Sequence, residues 1–182
     1  NSDINRMGRV LALGGAMDEF AAGLTETFQD PGVGFQYTSI ATHILAMVVR
    51  RATGRSLSDL LSDLVVSRLG LEHDGIYLTD GEGVAFALGG LNFTTRDYAR
   101  FGAMIEAGGR WNGEDIVSAD WVAESTAPSA TTQEGRDGYG YQWWTPPDPR
   151  PQEFFARGIY GQYMFIDQTR DVVIVLTAAD RN

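Results

Sequence analysis

Apolar positions recur at helical spacing from about residue 16 to about 127, and from about residue 139 to 178 they fall into short strand-like runs. The strongest helical pattern runs from Ile40 to Ala52. Ile40, Ile44, Met47 and Val48 share one face, and Leu45, Val49 and Ala52 the next. A helix apolar around most of its girth is expected to be buried. Thr38 or Ser39 can cap its start, and Gly54 suits a left-handed exit. A second helix is predicted from Ser56 to about Arg68, with Asp59 completing an approximate capping box. A third starts at Thr94 or Thr95, carries Asp97, Tyr98, Phe101 and Ile105, and stops at Gly108-Gly109; a fourth follows Ser118.

The later half reads as a meander. Tyr139 to Trp144 is predicted as one strand, closed by Pro146-Pro147, which cannot continue a ladder. Phe154 to Gly158, Gln162 to Ile166 and Val172 to Thr177 follow, with the loop Asp167–Asp171 joining the last pair. Helices followed by antiparallel neighbours with short links give an α+β fold class.

Composition narrows the partners. The chain has 182 residues, 43% hydrophobic and 21% charged, which is ordinary globular usage. A net charge of -10 argues against nucleic acid and against anionic membrane as partners. Without cysteine there is no disulfide framework, no thiolate chemistry and no zinc-thiolate site. No apolar run reaches the length of a bilayer span. Asn1-Ser2-Asp3 is neither an initiator methionine nor a signal peptide, so the sequence reads as a piece with its upstream part missing. The compartment, bacterial cytoplasm or periplasm, is left open.

The chemistry centres on Tyr37, in Phe35-Gln36-Tyr37-Thr38-Ser39 at the mouth of the first helix. A phenol with a reference pKa of about 10 is a poor base at neutral pH unless a cation lowers it. The 14 basic residues are all arginine, which supplies charge but does not surrender its proton. A Lys-Tyr relay therefore cannot be assembled from this chain alone. Either Tyr37 is an amphipathic packing residue, or its partners lie on other polypeptide. There is no Gly-x-Ser-x-Gly elbow, no Ser-x-x-Lys, no P-loop and no dinucleotide fingerprint. His43 and His73 read as a packed and a surface histidine. Asp80-Gly81-Glu82-Gly83 lacks calcium-loop spacing and reads as a solvated turn; Gly89-Gly90 reads as a backbone requirement. No metal or cofactor is expected.

Several segments together resemble the β-lactamase-related serine hydrolases, which include class C β-lactamases, esterases of that fold and 6-aminohexanoate-dimer hydrolases. They are Phe35–Ser39, Leu45–Gly54, Gly89-Gly90-Leu91, Arg96–Gly102, Gly109–Gly113, Tyr141–Trp144 and Gly158–Gln162. The resemblance implies a β-lactamase/transpeptidase-like fold, of which residues 1–182 form the C-terminal portion of one domain. It also implies acyl transfer to serine. Tyr37-Thr38-Ser39 resembles the family's Tyr-x-Asn or Tyr-x-Ser element, with Tyr37 catalytic and Ser39 orienting substrate or lysine. Tyr160-Gly161-Gln162 resembles its Lys-Thr-Gly or His-x-Gly strand, with a phenol in place of the cation. Backbone near Gln162 or Tyr163 would then help to form an oxyanion hole. The Ser-x-x-Lys element is absent and would lie on the missing N-terminal portion, the implied partner beside a small-molecule ester or amide substrate. Ser39 as a plain cap and Tyr160 as a cross-strand aromatic remain open, as does a non-catalytic binding or interaction module. Of Trp143 and Trp144, one is expected in the core and the other as a pocket wall.

Overall fold

A computed structural model describes residues 3–30, 32–130 and 132–180. The chain forms two interleaved compact units. The first is Asn1–Phe28, Gln36–Leu64 and Asp74–Asn92; the second is Gln29–Phe35, Val65–His73 and Phe93–Asn182.

The first unit packs α1 (Asp3–Ala12), α2 (Met17–Ala22) and α3 (Ser39–Thr53) around Met7, Met17, Ala21 and Ile40. Neither α1 nor the hairpin of β1 (Ile76–Tyr77) and β2 (Leu91–Asn92) was among the predicted elements. The residue before α2 is Ala16, which has no side chain to cap it. Asp80, 63 residues away, fills that role by accepting from Met17 N at 2.9 Å. Its other oxygen accepts from Glu82 N and Val84 N at 3.0 and 2.9 Å. The expected turn at residues 80–83 therefore forms, but its aspartate is buried, not solvated, because the orphan donors of a helix start need it. Gly90 is confirmed as a backbone requirement, since a Cβ there would lie 2.6 Å from the Phe86 carbonyl oxygen.

Helix α3 matches its predicted span, and Gly54 exits it at φ 67. Its burial does not match. Only Ile40, His43 and Ala46 are buried, while Ile44, Leu45, Val48 and Val49 are exposed. Apolar girth reports what a helix can bury, and this unit supplies a neighbour on one side only.

Leu57–Leu61 (α4) starts at Ser56, whose hydroxyl accepts from Asp59 N at 3.0 Å as predicted. A π-helical turn, Ser62–Val66, leads into the last turn α5 (Ser67–Leu69) and the second unit. There α6 (Thr95–Glu106) is capped by Thr94 and α7 (Ala119–Thr126) by Ser118, both as read from sequence. Between them β3 (Arg110–Trp111) and β4 (Glu114–Asp115) form a hairpin through Asn112 (φ 48) and Gly113 (φ 85).

The main sheet has five antiparallel strands in the order β5-β6-β7-β8-β9. They are β5 (Gly138–Tyr139), β6 (Trp144–Thr145), β7 (Glu153–Gly158), β8 (Gln162–Asp167) and β9 (Val172–Leu176). The single strand expected over Tyr139–Trp144 is instead a tight hairpin, with Tyr139 paired to Trp144 and Gln142 at φ 71. Gly140 explains the turn: a Cβ there would lie 2.4 Å from Ser125 O and 2.6 Å from Ala127 O, so the chain is pressed against the exit of α7. Helix α6 packs across β8 and β9, and the core beneath it holds Met104, Ile105, Val122, Phe154, Met164 and Ile166.

Candidate functional site

Tyr37 lies just before α3 and is 49% exposed. Thr38 takes the N-cap position at φ -132 and ψ 105, yet its side chain caps nothing; it donates to Gln36 O at 3.3 Å. Ser39 is the first helical residue and half-buried. The helix is anchored one turn further on. His43 is wholly buried with Nε2 2.8 Å from Asp18 Oδ1, and Arg50 donates to the other oxygen of the same carboxylate. Burial pushes the Asp18 carboxyl up, but its bonds to Arg50 and His43 outweigh this and hold it below its ordinary value. This confirms His43 as a packed residue. His73 is exposed, 3.9 Å from the buried Asp97.

Tyr160, Gly161, Gln162 and Tyr163 are brought together on the β7–β8 hairpin. Gly158 pairs with Gln162, and Ile159–Gly161 connects the strands. Tyr160 holds φ 61 and ψ 25, and Gly161 follows at φ 83. A left-handed conformation costs a non-glycine residue about 1–2 kcal/mol, so neighbouring structure must enforce it. The segment after β9 does so. Asp180 N donates to Tyr160 O at 3.1 Å, Gln162 Nε2 donates to Ala178 O, and Gly161 leaves room for the Ala178 methyl. The Tyr160 side chain is 52% exposed and that of Tyr163 42%. Tyr163 has ladder partners on both sides, Arg157 and Leu176, whereas Gln162 has one on β7 only.

Sequence reasoning missed Arg157. Its guanidinium carbon stands 4.4 Å from the Trp144 ring centroid, and Nη1 lies 3.2 Å from Asp137. Phe35 and Tyr139 complete an aromatic cluster around Trp144. Trp143, just before β6, packs instead on the core through Phe154, so one of the two tryptophans is in the core, as expected. An arginine cross-strand from a tyrosine beside a glycine hairpin was the available signal. Tyr37 and Ser39 belong to the first unit, and the hairpin residues to the second.

A model of the β-lactamase family matches residues 8–182. The chain belongs to the β-lactamase family. It is 36% identical over 162 residues to the 6-aminohexanoate-dimer hydrolase of Paenarthrobacter ureafaciens, covering 84% of this chain and 41% of that protein. A solved structure from Bacillus anthracis, described as a 6-aminohexanoate-dimer hydrolase, superposes with a TM-score of 0.81 at 31% identity. That match covers 91% of this chain and 43% of the other. A penicillin-binding protein homologue from Caulobacter crescentus gives a TM-score of 0.69 at 17% identity, over 94% of this chain and 63% of that one, and so shares the fold. The chain thus spans less than half the length of these two hydrolase relatives.

Proposed function

We propose that this chain is the C-terminal part of a serine hydrolase that cleaves an ester or amide through an acyl-enzyme. The observation that carries the reading is Tyr37 standing half-exposed at the mouth of α3, in a chain 36% identical to a 6-aminohexanoate-dimer hydrolase. A serine from a Ser-x-x-Lys element on polypeptide outside this chain attacks the carbonyl carbon. The carbonyl π electrons move to oxygen, and the serine proton passes to the Tyr37–lysine pair. That proton then protonates the leaving alcohol or amine as the acyl-enzyme forms. Water repeats the sequence and regenerates the serine. Tyr37 performs this work only beside the lysine ammonium, and this chain contains no lysine.

The hairpin residues carry the remaining proposed roles. The oxyanion donor is the backbone N–H of Gln162 or Tyr163, on the first residues of β8. Such a donor is typically worth about 100- to 1,000-fold in rate. Tyr160 presents a phenol where many relatives present a cation, which favours neutral acyl groups over carboxylate-bearing β-lactams. Ser39, at the first turn of α3, orients the substrate or the lysine.

The test uses p-nitrophenyl acetate. This chain alone should not hydrolyse it or bind a fluorophosphonate covalently. Joined to the part of the Paenarthrobacter ureafaciens hydrolase outside the matched 162 residues, it should do both, and Tyr37→Phe should then lower turnover about 100-fold or more. Near-normal turnover in that variant removes Tyr37 from the mechanism, and labelling of the lone chain removes the divided-site reading.

A further inference from the structure

Four pairs in the chain place glycine after an aspartate or asparagine: Asp74-Gly75, Asp80-Gly81, Asn112-Gly113 and Asp137-Gly138. Such a pair can close on itself. The glycine nitrogen attacks the preceding side-chain carbonyl carbon, and glycine, without a Cβ, hinders that approach least. The structure separates the four. Asp80 is buried, its oxygens accept from Met17, Glu82 and Val84, and Gly81 N is itself bonded to Gly15 O. Asp137 is held by Arg157, and Gly138 lies in β5. Asp74 is exposed, but a carboxylate is a far poorer electrophile than an amide. Asn112 is a neutral amide, exposed at the tip of the β3–β4 hairpin. Neither its side chain nor Gly113 N has a hydrogen-bond partner among the described residues. The space where a Gly113 Cβ would stand is open. Arg110 Nη2 donates to Gly113 O at 3.4 Å, which sets a cation beside the nitrogen that must lose its proton.

We propose that Asn112-Gly113 is a site of spontaneous covalent modification, at which the folded chain deamidates and lengthens its own backbone. Gly113 N gives its proton to hydroxide and bonds to Asn112 Cγ. The Cγ–Nδ2 bond breaks, and the amide nitrogen takes a proton from water and leaves as ammonia. Water then opens the cyclic imide. Addition at Cγ leaves aspartate. Addition at the Asn112 main-chain carbonyl leaves isoaspartate, with the side-chain methylene now part of the chain. Isoaspartate cannot keep the tight turn that pairs Trp111 with Glu114, and either product adds a carboxylate beside Glu114 and Asp115. The base of the hairpin is fixed, because Gly109 N donates to Met104 O and Gly109 O accepts from Ile116 N and Val117 N. The strain therefore falls on Trp111, which packs on the core. The inference stands apart from the hydrolase reading, since it needs no substrate.

The experiment holds the folded chain at pH 8 and 37 °C in water enriched in heavy oxygen, then maps its peptides by mass spectrometry. Asn112 should take up heavy oxygen and lose its amide about tenfold faster than Asn92, which precedes the bulky Phe93 and donates to Gly90 O. An isoaspartyl methyltransferase should label the product. Gly113→Asn tolerates the left-handed turn but hinders the attack, and should slow the loss about tenfold or more. If that variant disturbs the fold, Asn112→Gln, which must close a larger ring, takes its place with the same slowing expected. The deamidated chain, resolved by anion exchange, should melt about 2–4 °C below the fresh one. Amide loss only after unfolding in urea, equal rates at Asn112 and Asn92, aspartate without isoaspartate, or an undiminished rate in the variant would each overturn the site. An unchanged Tm would overturn its reach into the core.

Discussion

Asp97 is inaccessible to solvent and accepts from Glu72 N and Thr94 Oγ1, each at 2.7 Å, and from Arg100 Nη1 at 2.9 Å. Burial pushes its carboxyl up, but the bonds from Glu72 N, Thr94 and Arg100 outweigh this and hold it below its ordinary value. It ties the start of α6 to the loop after α5, 25 residues earlier in the chain. In Asp97→Asn, one of two acceptor oxygens becomes an amide that faces donors, and the Arg100 cation keeps Glu72 but loses the buried one of its two carboxylate partners. The expected outcome is a fall in Tm of at least about 5 °C at pH 7, read by circular dichroism. Asp97→Glu should not rescue it, because the donor set closes around the shorter side chain. An unchanged Tm would show that the network only decorates the helix start.

The seating of α6 on the sheet depends on Gly102. A Cβ at this position would stand 2.7 Å from Val173 Cγ1 and 3.3 Å from Met164 Sδ, both on the sheet below. Helix propensity alone favours Gly102→Ala by about 1 kcal/mol. Overpacking a filled core costs about 1–3 kcal/mol, and here the clash is with a stiff β-branched neighbour. Packing should win, with a net loss of about 1–2 kcal/mol in urea unfolding. Adding Val173→Ala should recover part of it, since the two sites share one contact. A stabilised single variant would mean that α6 can lift off β9 without cost. What the sequence made legible at this level follows the range of each signal. The caps at Ser56, Thr94 and Ser118 were readable because donor and acceptor lie three residues apart. The turn Asn112-Gly113 was equally local but went unread, because its two-residue strands are too short to alternate. Tyr139–Trp144 was misread because its turn is imposed by Ser125 and Ala127, which sequence does not place beside Gly140. The same limit hides Asp18 from His43 and Asp80 from Met17, 25 and 63 residues apart. For the candidate site, segment identity was visible; the left-handed Tyr160, pinned from residues 178–180, was not.

At the scale of the whole chain, acid should be the condition that finds the carboxylate anchors. Asp18 in the first unit, and Asp97 and Asp167 in the second, are all held below their ordinary values. For Asp167 the hydrogen bond from Thr169 leads, opposed by burial and supported by Arg170. A carboxyl depressed on folding stabilises the native state fully above its unfolded pKa, near 3.9, and that contribution disappears as pH falls through the folded value. Glu106 runs the other way: burial and the neighbouring Asp171 raise it, so its contribution is present below its unfolded pKa and lost as pH rises. Three depressed groups against one raised and partly exposed group fix the sign. Stability should be flat from pH 7 to about 5 and fall steeply below about 4. The net charge of -10 softens the neutral side, because protonation relieves self-repulsion before the anchors are titrated. Thermal unfolding at half-unit intervals from pH 7 to 2.5 measures the limb, and Asp167→Asn should give a lower plateau with a shallower acid slope. An equal slope in wild type and variant would assign acid unfolding to general charge and leave Asp167 without a share in it.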